Sequence, residues 1–419
     1  MNFYLDRYGF QEPKITAAPS KNLSIIVVIP CFYEPDLTAS LEALYNCSIP
    51  EDISVEVITV INAGVHHSQA IKDHNRQTYE ENLAWSKKHQ KERLKFHFLM
   101  EEDLPKKHAG VGLARKIGMD EAVARFHQID KDGIIVCFDA DAVCSTNYIT
   151  SIFEHFEKHA ETPGCSIHYE HPTSGEEYEN SIYEGIINYE LHLRYYNQCM
   201  RYAGLPYAFH TVGSSMAVRS SAYQKQGGMN KRKAGEDFYF IHKIIGLGNF
   251  TELKSAMVIP SPRTSDRVPF GTGKAIGDWI QASEDIFYTY AFNSFEIIRK
   301  FVHLIPALQD KELSDCKLDI EEQNKRLLFD FLNSINFDKV LSEIRNNSTT
   351  SISFKKRFFQ WFDAFKILKG VHFFRDQGIK NEPIYEQVNI LLDRIDGPKN
   401  IQSPLDQLKY IRKLERGEV

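Results

Sequence analysis

Residues 23–29 (LSIIVVI) form an almost unbroken apolar run that leaves no polar face. A strand of this kind has to be buried on both sides, as happens in parallel sheets covered by helices. Three more strand-like runs follow. Val55, Val57 and Thr59 alternate with Ile58 and Val60, residues 94–99 form a third run, and residues 133–138 (GIIVCF) a fourth. Between them the apolar positions take helical spacing: Leu37, Leu41 and Leu44, then Leu113, Ile117 and Phe126, then Ile149, Ile152, Phe153 and Phe156. A charged stretch over 67–93 reads as a solvated helix. This alternation predicts an α/β domain on a mostly parallel sheet covered on both faces. Ligands of such sheets bind beyond the carboxyl ends of the strands, so the residues at those ends decide what the domain can do.

A chain of 419 residues has room for two or three domains. Residues 1–20 are polar and predict a loosely held arm. Residues 21–295 carry the α/β pattern, with a further strand at Cys165, Ile167 and Tyr169 and a Tyr-rich helical stretch over 177–202. Residues 296–419 show helical patterns without strand-like runs and read as a C-terminal helical region. Within it, residues 354–374 (FKKRFFQWFDAFKILKGVHFF) join aromatics to bases. Phe358, Trp361, Phe362 and Phe365 share helical spacing, which favours a core helix with a basic outer face over an interfacial helix making peripheral contact with anionic lipid. The net charge of −6 gives no reason to expect nucleic acid. Seven unpatterned cysteines and an opening segment without a long apolar core predict a cytoplasmic protein, with the inner face of the cell membrane as the alternative location.

The strongest chemical signal is FDADAV over 138–143. An apolar strand runs directly into Asp139 and Asp141, two carboxylates that one hard cation can share in a turn. Mg²⁺ or Mn²⁺ takes oxygen ligands and shares its shell with phosphates. A departing diphosphate needs that neutralisation. At the end of the first strand, IPCFYEP (29–35) places Pro30 where a backbone donor is dispensable and Glu34 where it can accept from hydroxyl groups. Arg115 and Lys116 open a helix, where cations oppose the dipole and suit an anionic partner. Glu236 and Asp237 open another, where capping and general-base roles both fit. Small residues at 210–218 (HTVGSSMAV), among them Gly213 and Ser214, allow close approach of an acceptor. The stretch 261–274 (SPRTSDRVPFGTGK) gathers Arg263, Asp266, Arg267 and Lys274 in a glycine-bearing loop suited to close over phosphates. His66 and His67 are expected to point apart in a solvated loop, and Glu101, Glu102 and Asp103 to be a solvated segment.

In this order and spacing, these pieces over residues 22–275 resemble glycosyltransferase family 2. IPCFYE is similar to the family's opening strand and turn, VINAG (60–64) to its base-binding turn, and GLARKIGMDEA to its Gly-x-Ala-Arg segment. FDADAV is similar to its Asp-x-Asp, and GSSMAV followed by GEDFYF to its acceptor region and Glu-Asp pair. The resemblance implies a GT-A fold, a Rossmann-like mixed sheet covered by helices, and sugar transfer from a UDP- or GDP-type nucleotide-diphosphate sugar. The acceptor would be a carbohydrate, a lipid-linked or a small molecule, in cell-surface polysaccharide or glycoconjugate synthesis.

Residue by residue, it implies that Pro30, Glu34 and Asn62 line the nucleoside pocket and that Arg115 lies near donor phosphate or base, with Arg267 on the donor as well. It implies Asp139 and Asp141 on ribose and metal (Mn²⁺ or Mg²⁺). Gly213, Ser214 and Glu236 would face the acceptor, and Asp237 would be the base of an inverting displacement beside Glu236. Three departures stand out. Asn62 replaces an acidic residue, the Arg that follows the Glu-Asp pair is missing, and the third metal ligand is open between His242 and Asp266. A retaining transferase and a non-catalytic nucleotide-sugar-binding protein remain the alternatives.

Overall fold

The structure is a computed structural model that describes residues 2–265, 271–282, 286–399 and 401–419. The chain divides into two compact units: residues 1–183, 211–277 and 415–419 form the first, and residues 184–210 and 278–414 the second.

The first unit is built on an eight-stranded sheet among the described residues. Its strands are β1 (Leu23–Cys31), β2 (Ser54–Gly64), β3 (Leu94–Leu104), β4 (Ile134–Cys137), β5 (Ala142–Cys144), β6 (Gly164–Tyr169), β7 (Met216–Arg219) and β8 (Thr251–Pro260). They lie in the order β3-β2-β1-β4-β7-β6-β8-β5. β1 is central, with Val27 paired in parallel to Val57 of β2 and to Val136 of β4. That position explains why residues 25–29 are fully buried. The sheet is mixed, because β7 runs antiparallel between β4 and β6, and β5 runs antiparallel to β8. The short strands β5 and β7 carry too few residues for periodicity to reveal them.

The helices of this unit include α1 (Phe3–Tyr8), α2 (Leu37–Tyr45), α3 (Gln69–Lys88), α4 (Val111–Gln128), α5 (Tyr148–Lys158), α7 (Ser220–Lys225) and α8 (Glu236–Ile245), while α6 (Asn180–Tyr202) and α9 (Thr272–Gln281) continue into the second unit. Helix α4 is buried over nearly its whole length, charges included. On one side Gly118 lets it press against Val28 of β1, where any Cβ would collide with the valine. On the other side the N-terminal arm covers it. Tyr4 Oη donates to Asp120 at 2.7 Å, the Phe10 amide donates to Asp120 at 3.1 Å, and the Lys14 amide donates to Glu121 at 2.8 Å. The expectation of a loose arm therefore fails, because the Phe10, Lys14 and Ile15 amides and the Tyr4 hydroxyl bond the buried carboxylates of Asp120 and Glu121 on α4.

Two further expectations change in the same way. β3 continues through Glu101 and Asp103, because Asn62 and Gly64 of β2 go on pairing with it. Glu101 is buried against Lys14 at 2.6 Å, while Arg76 and Lys72 neutralise Glu102 and Asp103. His66 and His67 do not point apart: their rings lie 4.2 Å apart, and the Gly64 amide donates to His67 Nδ1.

The second unit is mainly helical: α10 (Phe292–Leu304), α11 (Glu322–Ser334), α12 (Phe337–Asn346), α13 (Ser351–Trp361), α14 (Ala364–Asp376), α15 (Ile384–Arg394) and α16 (Pro404–Arg416). A two-residue pairing of Tyr288–Thr289 (β9) with Glu382–Pro383 (β10) is the strand content that helical periodicity could not reveal. Residues 354–374 form two helices, since Asp363 breaks the run and caps α14 by accepting from the Lys366 amide. Phe354, Phe358, Phe359, Phe362 and Phe374 are buried, so this aromatic stripe is core while Lys355, Lys356 and Arg357 stay exposed. Among the described residues, no helix is long and apolar enough to cross a membrane.

Candidate functional site

Chain order fixes where a site can form. After β1 the chain moves outward to β2 and β3, then returns to β4 on the other side of β1. The reversal leaves a crevice at the carboxyl ends of β1 and β4, where α/β sheets hold ligands.

Glu34 reaches this crevice through a strained turn. Tyr33 takes a positive φ of 47°, uncommon for a bulky residue. Its amide donates to Asn75 Oδ1 at 3.0 Å, and Asn75 Nδ2 donates to the Asn62 carbonyl at 3.0 Å. His74 Nε2 lies 2.9 Å from the Glu34 carbonyl oxygen. The turn is thus held by a polar stripe of α3, where a solvated helix was expected. Its carboxylate, 3% exposed, accepts from Arg263 Nη2 at 2.6 Å.

β4 delivers the second acidic segment. Phe138 and Ala140 are buried, and the Ala142 amide closes a turn onto the Asp139 carbonyl. The side chains of Asp139 and Asp141 keep 33% and 31% exposure, respectively. Asp141 accepts from Arg263 Nε at 3.0 Å. Asp139 accepts from Arg115, and the same guanidinium bonds Glu236. The result is two linked ion clusters, Glu34–Arg263–Asp141 and Asp139–Arg115–Glu236.

Glycines make the second cluster possible. A Cβ on Gly213 would lie 2.5 Å from Arg115 Nη2 and 2.6 Å from Nη1, so the guanidinium rests on bare backbone. Gly112 lets the carbonyls of Arg232 and Asn230 press onto α4. That contact fixes the start of α8, where Gly235 adopts a left-handed φ of 67° and Asn230 Nδ2 donates to the Glu236 carbonyl at 2.9 Å. Ser214, beside Gly213, is fully buried. Asp237 is half-buried, and its Oδ1 accepts from the Phe238 amide at 2.7 Å.

The electrostatics follow from this crowding. Burial works against the charge on Arg115, but Asp139 and Glu236 outweigh it and hold the guanidinium charged. Burial pushes Glu236 up to about 7, against the pull of Arg115 and with the repulsion of Asp237 and Asp139 behind it. Asp237 is raised as well, by burial first, with Arg115 opposing and Asp139 adding to the rise. One guanidinium cannot neutralise three carboxylates. Burial also disfavours the charged Arg263, yet Glu34 and Asp141 raise it overall. Among the described residues, five carboxylates gather around two guanidiniums here, a surrounding that suits a cation.

The structure brings Glu34, Arg115, Asp139, Asp141, Gly213, Glu236 and Asp237 together. Pro30 pairs with Val60 near the end of β1. Asn62 is buried at the end of β2, and its Oδ1 has no partner among the described residues. Arg115 faces carboxylates and is 2% exposed, whereas a cation open to an anionic ligand was expected. Arg267 and Asp266 lie outside the described residues. His242 packs 4.4 Å from the Phe238 ring, where burial lowers it to about 4. Among the described residues, no group of three His, Cys, Asp or Glu side chains is arranged to hold a metal. Asp139 and Asp141 nevertheless fit an ion of the Mg²⁺ type, which uses one or two carboxylates and fills its shell with water and phosphate. Arg263 was noted in sequence only as a loop cation; its place directly after an apolar strand, in SPR, was the available signal. Asn75 and His74 gave no signal.

No protein-family model and no curated protein matches the chain. Its structural neighbours include S. aureus TarS 1-349 in complex with UDP-GlcNAc, at 12% identity over 94% of this chain and 91% of that one, with a TM-score of 0.39. Another is the mannosyltransferase PcManGT from Pyrobaculum calidifontis in complex with GDP-Man and Mn²⁺, at 12% identity over 99% and 93% of the two chains, with a TM-score of 0.31. At such TM-scores these are distant likenesses, and the weight falls on the site.

Proposed function

We propose that the chain is a glycosyltransferase of the GT-A kind, moving a sugar from a nucleotide-diphosphate sugar to an acceptor hydroxyl. The observation that carries this is the pair Asp139 and Asp141, which follows β4 at the switch point and keeps about a third of each side chain exposed. A Mn²⁺ or Mg²⁺ ion held by these two carboxylates would supply positive charge to the diphosphate as it leaves. Arg115 and Arg263 then act as positioning residues: each fixes one of the two aspartates while its other arm holds a buried glutamate. Pro30, Glu34 and Asn62 bound the nucleoside side of the crevice.

Asp237 is the group we assign as base. It is half-buried, and burial raises its affinity for a proton, which brings a carboxylate closer to the range where general bases work. Glu236, bonded to Arg115, orients the start of α8, while Gly213 and Ser214, both buried, back the site rather than touch the acceptor. The displacement would invert the anomeric carbon.

A panel of UDP- and GDP-sugars, screened by thermal shift with and without Mn²⁺, tests the assignment, since a ligand that binds only the native state raises its melting temperature. A metal-dependent rise is expected for at least one donor, and its loss in Asp141→Ala with an unchanged circular dichroism spectrum. Silence across the whole panel overturns the assignment. Donor binding without transfer to any acceptor or water would reduce the protein to a nucleotide-sugar binder.

A further inference from the structure

Two cysteines far apart in the chain meet beside this crevice. Cys47 follows the end of α2 and Cys144 closes β5, and their sulfurs lie 3.6 Å apart across 97 residues of sequence. The segments that carry them are pinned together: the Ser48 amide donates to the Thr146 carbonyl at 2.8 Å, and Thr150 Oγ1 donates to the Ser48 carbonyl at 2.9 Å. A disulfide needs the sulfurs at about 2.05 Å, so side-chain rotation has to close only about 1.5 Å between anchored backbones. Cys47 is buried but lines a cleft of about 300 Å³ together with Ile49, Lys91, Glu92 and Arg93. Cys144 is half-buried.

We propose that Cys47 and Cys144 form an oxidation site, a dithiol that a hydroperoxide converts to a disulfide. Cys47 is the attacking thiol. Its ordinary value is lowered by the hydrogen bond with Cys144, against burial, and by the backbone amides that open α5 and the charge of Lys91. Such surroundings favour the nucleophilic thiolate. The Cys47 thiolate attacks one peroxide oxygen: an S–O bond forms, the O–O bond breaks, and an alcohol or water leaves after protonation. The Cys144 sulfur then attacks the sulfenic sulfur: the S–S bond forms, the S–O bond breaks, and water leaves. Two electrons pass from the two sulfurs to the peroxide, so the step balances. The new bond ties the end of α2 to the strand that directly follows Asp141.

The test treats the full chain with hydrogen peroxide and counts thiols after denaturation. Two of the seven thiols should disappear first and return with dithiothreitol, and mass spectrometry should find one peptide pair joined through Cys47 and Cys144. The pair should be lost at a lower peroxide dose than the half-buried Cys316. In Cys144→Ser, Cys47 should stop as a sulfenic acid that dimedone traps; in Cys47→Ser, Cys144 should stay reduced at the same dose. Oxidation of Cys316 while both partners stay reduced overturns the proposal. So does conversion of Cys47 to sulfinic acid without a cross-link in the unaltered chain.

Discussion

Replacing Arg115 with Met keeps most of the side-chain volume and removes the charge that Glu236 and Asp139 share. Taking one partner from a buried ion pair costs about 3–5 kcal/mol, because the other charge is left buried and uncompensated. Asp139 is a third exposed and recovers water, whereas Glu236 is 4% exposed and does not. The lower end, about 3 kcal/mol near pH 8, is therefore expected. Protonation offers Glu236 a way out. Its value of about 7 already lies above the ordinary 4.5 in the intact protein, and losing Arg115 raises it further. A carboxyl raised in the folded state adds stability below its unfolded value and loses that contribution as pH rises through its folded value. Arg115→Met should thus hurt less in acid, with the deficit shrinking by about 1–2 kcal/mol between about pH 8 and about pH 5.5. Guanidinium denaturation of both proteins at the two pH values reads this out. Adding Glu236→Gln to Arg115→Met should remove Glu236's share of the pH dependence and leave only that of Asp237. A deficit under about 1 kcal/mol at the higher pH, or one that grows on acidification, refutes the reasoning.

Asp237→Asn should keep donor affinity and lose about 10²–10⁴ in transfer rate, the usual worth of a general base; near-normal turnover removes Asp237 from that role. His155, lowered to about 4 by burial and by its neighbours His159 and Lys158, contributes stability that is present above its ordinary 6.5 and lost as pH falls through about 4. His155→Gln should flatten that acid limb in melting temperatures taken across the window, although it also disturbs the 2.8 Å contact with Thr251. Tyr4→Phe removes the hydroxyl that donates to Asp120 and accepts from Lys116, and should cost about 1–2 kcal/mol in denaturant unfolding.

The sheet was legible where burial is uniform. Residues 25–29 and 134–137 face neighbours on both sides, so their apolar runs could not be anything but inner strands. Asp139 and Asp141 were legible because they end such a run. The charge pairing was not. The acids that hold Arg115 lie 24 and 121 residues away, and a helix that buries Arg115, Lys116, Asp120, Glu121 and Arg125 looks amphipathic in neither direction. The arm was missed for the same reason, since much of its contribution is backbone donors to Asp120 and Glu121, which no side-chain pattern encodes. Asn75 was hidden by the charged face of its own helix.

The most direct measurement is anomalous scattering from crystals grown with Mn²⁺ and a nucleoside diphosphate. A single manganese peak within coordinating distance of both Asp139 and Asp141, bridged to the diphosphate, is the expected result. Nucleotide bound with no manganese at that pair, or manganese seated elsewhere, contradicts the assignment of this crevice to metal-assisted sugar transfer.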